Sequence, residues 1–290
     1  MIILYSYLFL TLSSTLQAVS AFVSKNGSPV KIALIPKTNS IFFMDALSGC
    51  AREAEKQSKR RDIEIICDYL SPESNFEDSA ATTQQIDILE GIISNKTHDG
   101  VAISINDASQ LTPVVDRVIE AGIPLITYDS DAPDSLRLGS VSTNNTAFGD
   151  QLAKILLQID PGGGVYGMVD SVPANNIAER VEGVRNRLRN TQWVESEVSP
   201  KNGKGNPLLS LEVMGEMVLE DPSVNAIIPV ALWPMSNISG WKEFVTGHTN
   251  ITYIVGDSSQ EQYRMLTQGY VDGLVGQMPF EMGSISLGKI

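Results

Sequence analysis

The chain has 290 residues, a formal net charge of −13 and a hydrophobic content of 42%. This length suits two domains of ordinary size, and the hydrophobic content is sufficient for packed cores, which excludes a disordered chain. The negative charge disfavours nucleic acid and anionic membrane surfaces as partners, because both would repel the chain, and it indicates a neutral or cationic ligand.

The N-terminus is an apolar, hydroxyl-rich stretch from Ile2 to Leu16, followed by the small residues of Gln17 to Ala21. The stretch is short for a membrane-spanning helix, and small residues are typical of a signal peptidase cleavage site. Residues 1–21 are therefore interpreted as a signal peptide or N-terminal anchor outside the fold. The protein is then extracytoplasmic: periplasmic in a bacterium, and secreted or in the secretory pathway in a eukaryote.

Apolar strand-like runs alternate with helical patterns from Val30 onward. The first series of predicted elements covers residues 31–35, 43–59, 63–67, 81–94, 100–105, 110–121 and 124–128, strands and helices in turn. A Gly/Ser/Thr/Asn-rich stretch, 138–145, is predicted to be a crossover. The second series begins with a helix and covers 146–158, 164–169, 177–190, 193–198, 209–220, 226–230, 236–246, 251–257, 261–268 and 271–277. This alternation predicts an α/β protein with two doubly wound parallel-sheet lobes, 30–143 and 144–277, joined by a hinge.

Two further features bear on the compartment in which the chain folds. Cys50 and Cys67 could form a disulfide in an oxidising compartment or remain buried thiols, and both readings stay open because pairing depends on the Cα separation. Asn-x-Ser/Thr sequons can carry glycans only in a eukaryotic secretory pathway, and chance occurrence is the alternative reading. The sequons begin at Asn26, Asn95, Asn144, Asn237 and Asn250.

Polar and aromatic residues cluster where predicted strands end. Asp129 and Ser130 follow one strand, and Asp257 closes another far downstream. Ligands of open α/β sheets bind outside the carboxyl ends of the strands, so the two aspartates predict two walls of one cleft.

Aromatic residues near the same strand ends suit a sugar ligand. Phe42 and Phe43 begin the helix after the first strand, where rings suit stacking on the C–H face of a sugar while carboxylates accept from its hydroxyls. Trp233, which follows the predicted strand ending at Val230, is a third candidate ring. Packing into the core is the alternative reading for Phe43 and for Trp233.

These residues together resemble a known family, the type I periplasmic solute-binding proteins of ABC transporters, and within it the ribose-binding-like sugar binders. The resemblance extends from about Lys31 to the last residue. The segments that carry it are Ile32-Ala33-Leu34, Phe42-Phe43, Ala121 to Pro124, Tyr128 to Pro133, Thr143-Asn144-Asn145, Asn176, Glu179-Arg180, Glu182-Gly183, Val255-Gly256-Asp257, Gln277 and Pro279.

The resemblance implies a secreted, monomeric binding protein that closes about a hinge on one small sugar, for uptake or sensing. It implies no catalytic residue, metal or cofactor, and as partners a monosaccharide and a membrane permease or receptor. The implied ligand-binding residues are Ser40, Phe42, Phe43, Asp129 and Ser130 from the first lobe, and Asn176, Arg180, Trp233, Asp257 and Gln277 from the second lobe and hinge. Arg180 has a structural ion pair as its alternative role.

Departures from the family pattern leave the identity of the sugar open. Many members have Arg at the position of Ser130 and Asn at the position of Ser40. Asn144 creates a sequon at the hinge, where a glycan would hinder closure, so Asn144 is expected to be unmodified in active protein. Residues 278–290 are expected to return to the first lobe, and the chain then stops within a predicted helix. This pattern indicates either a truncated C-terminus or a first lobe that lacks a covering helix.

Three other functions remain as alternatives. The chain could be the ectodomain of a sensor for a non-sugar molecule, or a LacI-like regulator fold without its DNA-binding domain. An enzyme is the least supported reading, because His98 and His248 lack the spaced partners of a metal site or triad and are expected to be solvated loop residues. Asp129 and Asp257 could in principle form a glycosidase pair.

Overall fold

The computed structural model describes residues 2–5, 8–12, 28–74, 79–171 and 174–290. In chain order its strands are β1 (Ile2–Tyr5), β2 (Leu8–Leu12), β3 (Val30–Ile35), β4 (Ile65–Tyr69), β5 (Gly100–Ile103), β6 (Leu125–Tyr128), β7 (Gly139–Thr143), β8 (Gly164–Asp170), β9 (Trp193–Glu195), β10 (Lys201–Asn202), β11 (Val224–Pro229), β12 (Thr252–Gly256) and β13 (Gly273–Gly276). Its helices are α1 (Ile41–Arg61), α2 (Ser79–Asn95), α3 (Ala108–Glu120), α4 (Asn145–Ile159), α5 (Asn175–Leu188), α6 (Pro207–Glu220), α7 (Trp233–Ser236), α8 (Ile238–Gly247), α9 (Gln260–Thr267) and α10 (Pro279–Lys289).

The chain divides into two compact units. The N-terminal unit consists of Leu8–Ser142 and Met278–Ile290, and the C-terminal unit consists of Met1–Tyr7 and Thr143–Gln277. Each unit has its own sheet, so the predicted α/β class with parallel sheets and flanking helices is confirmed.

The sheet of the N-terminal unit has the strand order β2-β7-β6-β5-β3-β4. The pairs β3–β4, β3–β5, β5–β6 and β6–β7 are all parallel. Side chains of β3 alternate between two cores: Ile32 and Leu34 pack with α1 and α10, whereas Ala33 and Ile35 pack with α2 and α3. Because both faces are buried, the strands read as continuous apolar runs rather than alternating ones.

The C-terminal unit repeats this plan with the strand order β1-β13-β12-β11-β8-β10, and β9 pairs with β8 on the side. Its two cores also lie on opposite faces of the sheet. Ile228 and Ile254 pack with α4 and α5, and Ile227 and Val255 pack with α6, α8 and α9. Burying one such side chain stabilises the fold by roughly 1.5–3 kcal/mol.

Glycines bring α4 and α5 into close contact in the C-terminal unit. A Cβ built on Gly149 would lie 1.9 Å from the carbonyl oxygen of Arg180, and one on Gly183 would lie 2.2 Å from that of Thr146. Only residues without a side chain allow the two backbones to approach so closely. The contact joins the first two turns of α4 to the middle of α5, the helix that carries Asn176 and Arg180.

Two segments differ from the sequence-based interpretation. Residues 138–145, expected to be a crossover, contain β7, which pairs with β6. Gly139 and the two serines of β7 have weak strand propensity, whereas Val141 and Thr143 favour strands, and pairing against a buried neighbour decides the outcome. Residues 1–21 were expected to lie outside the fold, but Ile2–Tyr5 and Leu8–Leu12 form β1 and β2 at the edges of the two sheets. The physical reason is that apolar extended residues readily pair with an open strand edge. A signal peptide in this region stays a prediction.

Cys50 of α1 and Cys67 of β4 form a disulfide, with their Cα atoms 6.0 Å apart. The reading of inert thiols is therefore wrong. Within the described residues, none of the helices combines the length and hydrophobicity needed to span a bilayer.

The sequence suggested that the two histidines are solvated loop residues, and this expectation is wrong. His98 is buried, and its Nε2 lies 3.1 Å from Oδ2 of Asp68. His248 is half-buried, with Nδ1 lying 2.8 Å from the carbonyl oxygen of Phe244, whose ring stacks on the imidazole. A residue distant in sequence contacts His98, whereas His248 packs against Phe244 one helical turn earlier, and the polar neighbours of both histidines in sequence indicated neither contact.

Candidate ligand-binding residues

Three neighbouring strands of the N-terminal unit end in polar side chains that converge on Asp129. Asp129 follows β6 directly, Ser104 follows β5, and Lys37 lies two residues after β3. The hydroxyl of Ser104 donates to Oδ2 of Asp129 at 2.8 Å, and Nζ of Lys37 lies 3.8 Å from the same oxygen. Since β6, β5 and β3 are adjacent and parallel, their carboxyl ends meet at one edge of the sheet.

The backbone at Asp129 is held in a left-handed conformation, with φ at 59°. Its amide donates to the carbonyl oxygen of Val141 in β7 at 3.0 Å. Asp is one of the few residues other than glycine that adopts this conformation readily. A carboxylate that is only 7% exposed is thus fixed at the strand end.

Lys37 and Ser104 were missed as site residues in the sequence. Lys37 is 2% exposed, which is rare for a lysine and requires a partner for its charge. Asp129 supplies that partner. The signal available in the sequence was position alone, a polar residue one or two places after a buried strand.

Gln85 of α2 forms hydrogen bonds with the backbone at two of these strand ends. Its Nε2 donates to the carbonyl oxygens of Pro36 at 2.9 Å and Ser104 at 2.6 Å, and its Oε1 accepts from the amide of Asn106 at 3.1 Å. The side chain is fully buried. It therefore positions the loops that carry Lys37 and Ser104, and nothing in the helical pattern of α2 distinguished it.

The aromatic pair at the start of α1 separates into two roles. Phe43 is 3% exposed and packs edge-on against Tyr128, at a centroid distance of 6.1 Å, so it is a core residue. Phe42 is half-buried and packs edge-on against Phe43 at 5.1 Å, which leaves part of its ring exposed. Ser40 precedes the helix, and its hydroxyl does not cap it. Ser130 is buried beside Asp129.

Asp257 occupies the equivalent strand end in the C-terminal unit. It follows β12, has a φ of 72° and is 5% exposed. Its Oδ2 accepts from the amide of Leu232 after β11 at 3.1 Å, and its Oδ1 accepts from Nε2 of Gln277 after β13 at 2.5 Å. Oε1 of Gln277 in turn accepts a hydrogen bond from the hydroxyl of Thr143 at 2.8 Å. Again the ends of three adjacent parallel strands hold one carboxylate.

Arg180 is almost wholly buried, with 1% exposure, and its hydrogen-bond partners among the described residues are not carboxylates. Nε donates to Oδ1 of Asn145 at 2.9 Å, Nη1 donates to the carbonyl oxygen of Val230 at 3.0 Å, and the guanidinium lies 4.2 Å from the ring centroid of Phe148. Nδ2 of Asn145 donates to the carbonyl oxygen of Thr143 at 3.0 Å. These contacts give Arg180 a positioning role between α4, α5 and β11.

Asn176 has a polar atom without a partner among the described residues, whereas Trp233 is packed into the core. Oδ1 of Asn176, in the first turn of α5, is buried and has no hydrogen-bond partner among the described residues. Buried polar atoms are almost always paired, so an orphan amide oxygen points to a ligand hydroxyl or a water. Trp233 is 8% exposed and packs within the apolar core beside α5.

Asn144 caps α4, and its Oδ1 accepts from the amide of Ala147 at 3.0 Å. The side chain is exposed. The fold thus leaves space at Asn144, and the expectation that it is unmodified rests on the expected hinge motion alone.

Comparison with known proteins gives a family and several structural neighbours. A family model described as a periplasmic binding protein domain matches residues 32–287. No curated protein sequence matches the chain.

Solved structures of bacterial solute-binding proteins are similar in fold. An ABC transporter solute-binding protein from Burkholderia graminis, in complex with D-arabinose, is 24% identical with a TM-score of 0.79, over 91% of this chain and 89% of that one. An arabinose-binding protein from Geobacillus stearothermophilus is 22% identical with a TM-score of 0.72, over 90% and 86%. A solute-binding protein from Agrobacterium vitis with bound D-fucose is 20% identical with a TM-score of 0.77, over 89% and 87%.

At these identities the neighbours establish the fold, whereas the family model covers most of the chain. Its span begins in β3 and ends in α10, and so includes the strand ends that carry Asp129 and Asp257. The chain belongs to the periplasmic binding protein domain family.

Proposed function

We propose that the protein binds a small sugar, through the residues around Asp129 and those around Asp257. The observation that carries the proposal is the pair of buried carboxylates, each fixed in a left-handed conformation at the carboxyl end of a parallel strand. Ionised carboxylates accept strong hydrogen bonds from hydroxyl groups, and each can accept from two vicinal hydroxyls. The bound D-arabinose and D-fucose of two structural neighbours support a monosaccharide as the ligand class.

The surroundings of both carboxylates favour a neutral ligand. Lys37 balances the charge of Asp129, and Arg180 lies in the same unit as Asp257. A ligand of strong net charge would meet, in either set, a group that carries a charge of the same sign and repels it. Phe42 offers a partly exposed ring for the apolar face of a sugar, and Oδ1 of Asn176 offers an unpaired acceptor.

Titration calorimetry of the folded protein with pentoses, hexoses and polyols tests the proposal. We expect one sugar to bind, and Asp129→Asn or Asp257→Asn to weaken its binding about ten- to hundredfold, because hydrogen bonds to charged groups contribute roughly 1.5–3 kcal/mol. Asp87→Asn, at an exposed position of α2, is the matched control and should bind normally. The absence of binding by any sugar, or equal binding by all four proteins, would contradict the proposal.

We further propose that this binding involves no covalent chemistry. Asp129 and Asp257 each hold hydrogen bonds typical of fixed acceptors, and the family and its neighbours are binding proteins. Incubation with nitrophenyl glycosides should release no nitrophenol. Release that Asp129→Asn abolishes would identify a glycosidase instead.

The proposed setting is extracytoplasmic, with a membrane permease as the partner that receives the sugar. The disulfide between Cys50 and Cys67 supports this setting, since structural disulfides persist in oxidising compartments. Cell fractionation should recover the protein outside the cytoplasm with that disulfide intact. A cytoplasmic protein with both cysteines reduced would contradict the proposed location.

A further inference from the structure

We propose that, in a eukaryotic secretory pathway, the folded protein carries N-linked glycans at Asn95 and Asn250 and none at Asn237. The inference is independent of the ligand. It begins from the disulfide between Cys50 and Cys67, which indicates folding in an oxidising compartment, the type of compartment in which N-glycosylation occurs.

Asn250 has the most open surroundings of the three. It lies in the turn between α8 and β12, and its side chain is exposed and makes no hydrogen bond to any residue that the structure describes. The acceptor hydroxyl of its sequon belongs to Thr252, the first residue of β12. A glycan on Nδ2 would extend into solvent without displacing a contact.

Asn95 is the last residue of α2 and is also exposed. Its Nδ2 donates to the carbonyl oxygen of Gly91 at 3.0 Å. A glycosylated amide keeps one N–H and its carbonyl oxygen, so this hydrogen bond can persist beside the glycan. The modification is therefore compatible with the end of α2 as it stands.

Asn237 is held in a way that leaves no such room. Its Oδ1 accepts from the amide of Gly240 at 3.2 Å and from the hydroxyl of Ser239 at 3.2 Å, which caps α8. Its Nδ2 would lie 2.7 Å from a Cβ built on Gly240, so the nitrogen faces the helix rather than solvent. A glycan attached to this nitrogen would therefore overlap the first turn of α8.

The test is site mapping on the full chain, secreted from cultured mammalian cells and purified as the folded, disulfide-bonded species. Release with peptide N-glycosidase in ¹⁸O-water converts each occupied asparagine to a labelled aspartate. We expect the label at Asn95 and Asn250 and none at Asn237. An unlabelled Asn95 or Asn250, or a labelled Asn237, would overturn the inference.

Variants separate occupancy from folding. Thr252→Val destroys the Asn250 sequon and should reduce the intact mass by one glycan, whereas Thr252→Ser keeps the sequon and should leave the mass of the glycans unchanged. Asn237→Gln should also leave it unchanged. Loss of a glycan in Asn237→Gln would show that Asn237 is occupied and would contradict the proposal.

Discussion

At the scale of single residues, the charge on Asp129 is the feature that most constrains its surroundings. Lys37 and Ser104 both approach Oδ2 of this buried carboxylate. Removing one member of a buried ion pair leaves the other charge without compensation, which typically costs about 3–5 kcal/mol.

We therefore expect Lys37→Met to destabilise the protein by several kcal/mol, and the double variant Lys37→Met, Asp129→Asn to recover part of that loss. Urea unfolding of the wild type, both single variants and the double variant gives the coupling energy. Additive losses would show that the pair at 3.8 Å contributes nothing to stability.

The neighbouring phenylalanines should separate stability from binding. Phe43 is a core residue beside Tyr128, so Phe43→Ala is expected to cost about 3–5 kcal/mol of unfolding free energy. Phe42→Ala removes a half-buried ring and should weaken sugar binding with a smaller loss of stability. Urea unfolding and calorimetric titration of both variants check this, and the reverse pattern would assign stacking to Phe43.

At the scale of helices and strands, the two units use the same device to bring helices together. Gly149 and Gly183 join α4 to α5, and Gly49 and Gly283 join α1 to α10, each with a built Cβ about 2 Å from a facing carbonyl oxygen. In each unit, one of the two joined helices carries a candidate site residue in its first turn: Phe42 in α1 and Asn176 in α5. Helix packing and site geometry are therefore linked in both units.

Gly149→Ala is expected to lower the unfolding free energy by roughly 1–3 kcal/mol or more, because its methyl group would overlap the backbone of α5. Gly215→Ala is the matched control, since Gly215 lies within α6 and a Cβ there meets nothing within 4 Å. It should raise stability by about 0.5–1 kcal/mol. Equal effects of the two substitutions in urea unfolding would show that the close approach is not constrained.

At the scale of the whole molecule, each unit has its own sheet and cores, and the spectroscopic probes are unevenly distributed. The tryptophans at positions 193, 233 and 241 all lie in the C-terminal unit. The disulfide lies in the N-terminal unit and closes a short loop, with a sequence separation of 17 between the two cysteines. Closing such a loop stabilises by about 3 kcal/mol in the chain-entropy account.

The double variant Cys50→Ser, Cys67→Ala should therefore unfold its N-terminal unit at lower urea concentration. We expect the transition measured by circular dichroism to broaden or split, while the tryptophan fluorescence transition stays in place. A fluorescence transition that moves together with the dichroism signal would show that the two units unfold as one cooperative block.

The sequence by itself determined the α/β class, most of the helices and strands and the positions of Asp129 and Asp257, because hydrophobic periodicity and the residues that follow a strand are local properties. Only the tertiary structure decided which polar groups meet those carboxylates. Lys37, Ser104, Gln85 and Thr143 reach their partners through strand order and helix packing, which bring distant segments together.

The same reason explains the residues whose roles the sequence left open or misread. Phe43 and Trp233 had local grounds for either stacking or core positions, and burial against other elements placed them in the core. Gly139 and the two serines of β7 have weak strand propensity, and pairing with β6 placed them in a strand. Contacts between residues far apart in the chain decide such cases, because local preferences are worth less than the burial and hydrogen bonding that the assembled fold provides.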